Sequence, residues 1–470
     1  MRKLLCSLIV LALAFTAIGA FAANRLNPKN YPLKTVPKST IIGKQVKQSG
    51  PIQADPHTML NWKAVNKLSP AMNTKIKAQQ KGSFVNGTID TLPYFNGYFL
   101  TGDGKNSLYT YSMLGGSPPA GGTTNIQTEI IPLISILEVG GVIFYIFDPA
   151  GFYVPPADQD SDANLFAESP IFDATTTYPG PPAQTGQFHD GYSRTQFRKV
   201  AAANWHTIMA PNSTTGTVFG PFIWQTFLEF NNGDWTLFCC DTNGNNFPSF
   251  DINAISNAFA VILSYPLEIP ATTNNIFPLI LTDYLFASEG GGCCIGGFHA
   301  AQPGTFDPNG VLIWAWATWV PHNIDQGVVN PFGPPPSFGS DMMAWTHEIG
   351  EALDDPFVQT NGTLVPAWVD GSVSFAQGNL ENGDVIEAMA VSDSITQIPL
   401  NVVSGPYLYD GQNLATLEWF SRNPLTGGIY SWPNEGTLSH NVMKPGCQQP
   451  FVCSWLYGQG PGGFFFGPPY

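Results

Sequence analysis

The stretch Ser340-Asp341-Met342-Met343-Ala344-Trp345-Thr346-His347-Glu348-Ile349-Gly350-Glu351-Ala352-Leu353-Asp354-Asp355-Pro356 decides how this chain is read. Pro334, Pro335, Pro336 and Gly339 hold an open loop before it. Ser340 or Asp341 can cap a helix and Pro356 ends one, which predicts a helix over Met342–Leu353. Met342, Trp345, Ile349, Ala352 and Leu353 recur at helical spacing, so that face is expected to be buried. His347 and Glu351 stand at i and i+4 and project from one face about one turn apart.

That spacing lets one helix give a metal ion two ligands. Glu348, beside the first ligand, is then placed to take a proton from a coordinated water whose pKa the metal lowers. The logic is that of His-Glu-x-x-His metallopeptidases, with Glu in the second ligand position. The plain alternative is a solvated acidic face made of Glu348, Glu351, Asp354 and Asp355. Charged residues are only 11% of the chain, yet five ionisable groups fall within nine positions here, which favours the metal.

Several shorter elements lie outside the helix. Ser169-Pro170-Ile171-Phe172 is followed by Gly186-Gln187 and Asp190–Arg198, and Ser193 can cap a helix from Thr195 to about Ala203. Cys294–Ala300 carries Gly297-Phe298-His299, and Trp368-Val369-Asp370 leads to Glu381-Asn382-Gly383-Asp384. With His347–Pro356, these elements resemble a group of largely uncharacterised exported bacterial proteins with a zincin-like core. The likeness runs from about Ser169 to Trp432. It departs in Asp354, where the group has Thr, and in a longer insert between Pro356 and Trp368. The resemblance implies an α+β fold: a β-rich, zincin-like catalytic core with a central metal-binding helix and many loops.

The third ligand is expected from beyond the helix, with Glu381 and Asp384 as candidates and Asp370 and Asp355 behind them. Their plainer role is turn chemistry around Asn382-Gly383. His299 is a candidate to polarise a substrate carbonyl or stabilise an oxyanion. His189, His206 and His322 lack paired spacing and are expected to be structural or at the surface. Zinc is the expected cofactor. One imidazole and two carboxylates would leave it without net charge, and oxygen-rich ligation also suits Mn²⁺ or Ca²⁺. The expected activity is a metallopeptidase-like hydrolase acting on an extended peptide or protein, aligned by an edge strand such as Val311–Val320. The competing reading is a non-catalytic extracellular or envelope-associated binding protein, with a structural metal or a bare acidic cluster.

Arg2 and Lys3, an apolar run from Leu4 to about Ala17, and Ala20-Phe21-Ala22 read as an export signal cleaved after Ala22. The chain is therefore expected to be secreted, extracellular or periplasmic, with no membrane span in its mature form. Six cysteines then remain, and an even number in an exported chain favours disulfides. Bridges are expected between Cys447 and Cys453, and from Cys239 and Cys240 to Cys293 and Cys294. Residues 23–81 read as a polar leader or pro-like segment, 82–160 as a β-rich N-terminal region, 161–445 as the core and 446–470 as a Gly/Pro/aromatic tail. Apolar runs between Gly/Pro/Asn/Asp turns predict strands: two within Ile130–Phe147, others at Val261–Tyr265, Ile276–Phe286 and Val311–Val320. Val218–Phe230 and Trp235–Cys239 read as a hairpin about Asn231-Asn232-Gly233-Asp234. A net charge of −15 argues against nucleic acid as a partner, and 43% hydrophobic residues argue against disorder.

Overall fold

The computed structural model describes residues 46–47, 85–89 and, with interruptions, 92–211, 226–303, 311–320, 340–356 and 382–443. The expected signal 1–22, nearly all of 23–81, the tail 446–470, Cys240, Cys447 and Cys453 lie outside the described residues. The fold is mixed α/β with more strand than helix.

Its centre is a seven-stranded sheet. In chain order the elements that matter are β1 (Thr123–Val139), β2 (Val142–Phe147), α1 (Phe188–Gln196), β3 (His206–Pro211), β4 (Thr226–Phe230), β5 (Phe277–Asp283), β6 (Gly297–Pro303), β7 (Val311–Trp319) and α2 (Met343–Asp354). A hairpin follows, of β8 (Ile395–Val402) and β9 (Gly405–Gln412). The sheet runs β4-β1-β5-β7-β6, with β2 and β3 also paired to the long β1. Strands β4, β1, β5 and β7 run parallel to one another and β3 is parallel to β1, whereas β2 is antiparallel to β1 and the edge strand β6 is antiparallel to β7.

Both faces of this sheet are covered, so its parallel strands carry continuous apolar runs instead of alternating polar ones. On one face, Phe277, Leu279 and Leu281 of β5 and Ile313, Ala315, Ala317 and Trp319 of β7 form a cluster with Trp345, Ile349 and Ala352 of α2. The two alanines let the helix lie close to the sheet. Burying Ile349 alone contributes about 1.5–3 kcal/mol. On the other face, Trp314, Trp316, Ile280, Phe298 and Ala300 pack with Ile252, Ile255, Phe259 and Leu263. The period-two alternation along β6 sends Phe298 and Ala300 away from α2 and turns His299 toward it.

Helix α2 lies within one residue of its sequence-based bounds at each end. Its start differs from a simple cap: the Met342 and Asp410 amides both donate to Asp341 Oδ1, the second at 2.8 Å. That shared acceptor ties the helix N-terminus to β9. Helix α1 begins earlier than the sequence suggests, so Ser193 is inside it and not its cap. Gln187 holds that earlier start: its side chain donates to the carbonyls of Phe172 and Met209 and accepts from the Met209 amide.

Three further expectations are corrected. The segments flanking 231–234 do not pair with each other. Thr226–Phe230 pairs with β1, whereas Trp235–Cys239 joins a five-stranded sheet with Val46–Lys47, Phe247–Asp251, Phe286–Glu289 and Gly292–Ile295. Within 252–263, the described residues are helical, and the buried Ile252, Ile255, Phe259 and Leu263 share one helical face; Leu263 is not in a strand. Finally, β7 lies between β5 and β6, so Val311–Val320 is not an edge. In the five-stranded sheet, the strand bearing Cys239 is separated from that bearing Cys293 and Cys294 by two others. Three inter-strand spacings, about 14 Å, exceed the reach of a disulfide, so no direct bridge joins Cys239 to Cys293 or Cys294 there.

Candidate metal centre

Helix α2 presents His347, Glu348 and Glu351 toward β6 and the turn at Asn382-Gly383, all within the protein and 8% or less exposed. His299 of β6 completes the group. Each carboxylate offers one oxygen to each imidazole. Glu351 Oε1 is 3.1 Å from His347 Nε2, and its Oε2 is 3.7 Å from His299 Nδ1. Glu348 Oε1 is 3.9 Å from His347 Nε2, and its Oε2 is 3.6 Å from His299 Nδ1. One ligand atom each from His299, Glu348 and Glu351 fall within 4.8 Å of one another.

The outer hydrogen bonds fix which ring nitrogens face inward. His299 Nε2 lies 3.3 Å from the Asp355 carbonyl, which can only accept, so Nε2 carries the proton and Nδ1 presents its lone pair to the carboxylates. Burial also lowers the His299 pKa to about 4, against the opposing pull of Glu351, so the ring is neutral and in ligand form. His347 Nδ1 is 2.8 Å from Gln412 Oε1 and Gln412 Nε2 is 2.8 Å from the Gly383 carbonyl. The amide must donate to that carbonyl, so its oxygen faces His347, Nδ1 holds a proton, and Nε2 is the nitrogen directed at Glu351. The neutral His299 ring thus turns its Nδ1 lone pair toward two carboxylates, an arrangement that suits a shared cation.

Two glycines make the close approach possible. A Cβ on Gly297 would stand 2.7 Å from Glu348 Cγ and 2.8 Å from the Trp316 carbonyl oxygen. A Cβ on Gly383 would stand 2.5 Å from His347 Nδ1. The Gly383 amide donates to Glu351 Oε1 at 3.0 Å, so the same turn supports both α2 ligands. Below it, Asn382 Nδ2 lies 3.0 Å from the Gly350 carbonyl, Asp354 Oδ2 and the Tyr192 hydroxyl. Asp354 also accepts from Gln196 Nε2, which links α1, α2 and the turn.

Of the residues singled out from sequence, His347, Glu348, Glu351 and His299 come together. Glu381, Asp384 and Asp370 lie outside the described residues. Asp355 is buried and meets His299 through its backbone carbonyl. His189 is buried with Nε2 bonded to the Thr346 carbonyl; His206 bonds Asp190 at 3.0 Å; His322 is outside the described residues. Gln412, Gly383 and Gly297 were not anticipated in these roles, because an amide and two glycines carry no ligand signature in sequence. No family model, curated protein or solved structure matches this chain. No described helix is long and apolar enough to cross a membrane.

Proposed function

We propose that the protein is an exported metal-dependent hydrolase, most simply a zinc peptidase, in which His347, Glu351 and His299 hold the cation and Glu348 is the general base. The observation that carries this is the spacing of the four side chains. Ligands about 2.0–2.1 Å from a tetrahedral zinc stand about 3.3 Å apart; one ligand atom each from His299, Glu348 and Glu351 lie within 4.8 Å of one another, and His347 Nε2 joins them through Glu351 Oε1 at 3.1 Å. His299 is the third ligand in this reading, while Glu381 and Asp384 lie outside the described residues. Two neutral imidazoles and one carboxylate leave a divalent ion with net charge +1, so its Lewis acidity survives. Two nitrogen ligands also favour zinc over calcium.

A cation bound there would supply a water of lowered pKa; the Glu348 carboxylate is the group placed to accept a proton and return it to a leaving amine. The edge strand β6, beside the site, is the candidate to align an extended peptide, a role sequence had given to Val311–Val320. The resemblance to exported zincin-like proteins supports the same class. A second reading, a binding or envelope-associated protein with a structural metal, is favoured by the burial of all four groups, since structural sites are closed.

Elemental analysis and casein hydrolysis with and without chelator test both readings. The hydrolase reading expects about one zinc per chain, chelator-sensitive hydrolysis, and a Glu348→Gln variant that keeps zinc while losing about 10²–10⁴-fold in rate. Zinc without hydrolysis selects the structural reading. Equal metal content in the parent, Glu351→Ala and His299→Ala removes the site.

A further inference from the structure

We infer that Gln412 is a positioning residue that selects the ligand tautomer of His347 and locks it to the turn supporting Glu351. This rests on the metal-site reading above, but its first readout does not. Gln412 is fully buried at the end of β9, and its backbone amide and both side-chain polar atoms are engaged. Its backbone amide donates to Thr346 Oγ1 at 2.9 Å, one residue before His347 on α2. Its side-chain NH₂ donates to the Gly383 carbonyl at 2.8 Å, and its side-chain oxygen accepts from His347 Nδ1 at 2.8 Å.

These contacts are ordered by donor and acceptor capacity. The Gly383 carbonyl cannot donate, so the amide cannot flip without placing oxygen against oxygen at Gly383 and donor against donor at His347. The Gly383 end therefore dictates the proton at the His347 end. An unconstrained neutral imidazole is free to carry its proton on either nitrogen; here Nδ1 is committed to Gln412 and Nε2 is directed at Glu351 Oε1, 3.1 Å away. The same glycine whose carbonyl anchors Gln412 donates its amide to Glu351 Oε1 at 3.0 Å, so the two α2 ligands share one support. Outer-shell partners of this kind are worth about 10–100-fold in metal affinity.

A positioning role and a packing role rank substitutions in opposite order. Met matches Gln in length and suits a buried site, so packing alone predicts that Gln412→Met is tolerated and Gln412→Glu, which buries a charge, is worse. The tautomer role predicts the reverse: Glu still accepts from Nδ1, and Met does not. The experiment measures His347 ring ¹⁵N shifts in metal-free full-length protein in alkaline buffer, then zinc affinity with a chelating dye. Circular dichroism checks that each variant is folded.

The parent and Gln412→Glu are expected to show the Nδ1-protonated pattern, and Gln412→Met a loss of it. Zinc affinity is expected to fall about 10–100-fold in Gln412→Met and less in Gln412→Glu. An unchanged His347 tautomer in Gln412→Met overturns the inference, as does a zinc affinity ranked Met above Glu. A parent that binds no zinc overturns the metal reading instead, and the ring shifts then still decide the role of Gln412.

Discussion

Asp354→Asn should remove a pH-dependent weakness from the protein. Asp354 is buried where α1, α2 and the Asn382 turn meet, with Gln196 Nε2 at 3.0 Å, Asn382 Nδ2 at 3.0 Å and the Tyr192 hydroxyl at 2.9 Å from Oδ2. Burial raises its pKa from 3.8 to about 7; these three donors pull it back down and the charge of Glu351 pushes it further up. The folded protein therefore holds this proton to higher pH than the unfolded chain does. Stability is fully present below about pH 4, declines as pH rises to about 7, and is level above that. A shift of about three units corresponds to about 4 kcal/mol. Asn keeps the shape and an oxygen that can accept from Asn382 and Gln196, but it never ionises. Replacing the carboxyl shifts hydrogen bonds by about 1 kcal/mol at all pH values. Urea unfolding of parent and variant in chelator, from pH 4 to pH 8, reads the difference directly. The variant's stability relative to the parent is expected to rise by about 4 kcal/mol between pH 4 and pH 7 and then stay constant. A difference that does not change with pH, or that changes in the parent's favour, refutes the reasoning.

Glu129 of β1 is a second buried acid of the same sign. Burial raises its pKa from 4.5 to about 7, and its Oε2 has no hydrogen-bond partner among the described residues. Because it shares a strand face with Ile131 and Leu133, Glu129→Leu is expected to stabilise the fold by about 3 kcal/mol more at pH 8 than at pH 4.5, read by the same urea curves. Gly297→Ala should lower the unfolding temperature and the zinc content together, because its methyl would press on Glu348 and on the Trp316 backbone. Gly296→Ala, whose added methyl meets only ordinary contacts at 3.8 Å, should change neither. Calorimetry and elemental analysis of the pair check both statements.

The parts of this fold legible in sequence are those set by local signals. Pro356 and the spacing of Trp345, Ile349 and Ala352 place α2 because a helix carries its period and its stop within itself. The apolar run at Ile130–Phe147 shows as β1 and β2 because parallel strands covered on both faces need no polar alternation. Pairing is another matter. Asn231-Asn232-Gly233-Asp234 is good turn chemistry, but a turn does not choose partners: Thr226–Phe230 lies along Leu133–Leu137, far away in sequence. Local propensity likewise misread Val261–Tyr265, where Leu263 belongs to a helical face packed on the sheet.

The candidate centre divides along the same line. A helix can supply His347, Glu348 and Glu351 because one turn fixes their directions, and that triplet is visible in any listing of residues. A helix cannot supply a ligand from the opposite side. That position belongs to whatever tertiary packing sets against it, and here the packing sets β6. His299 reaches the carboxylates because Gly297, two residues earlier on the same strand, has no side chain to hold Glu348 away. The acids near Asn382-Gly383 drew attention in sequence because they are charged. What the described turn brings to the site is a backbone amide for Glu351 and a carbonyl for Gln412. Neither group has a residue-type signature, since every non-proline residue carries both. A metal centre built this way shows in sequence only its helix. Its edge strand and its backbone supports follow from the three-dimensional fold, which is why the Gln412 and Gly297 variants are the sharper tests of whether these groups act as one site.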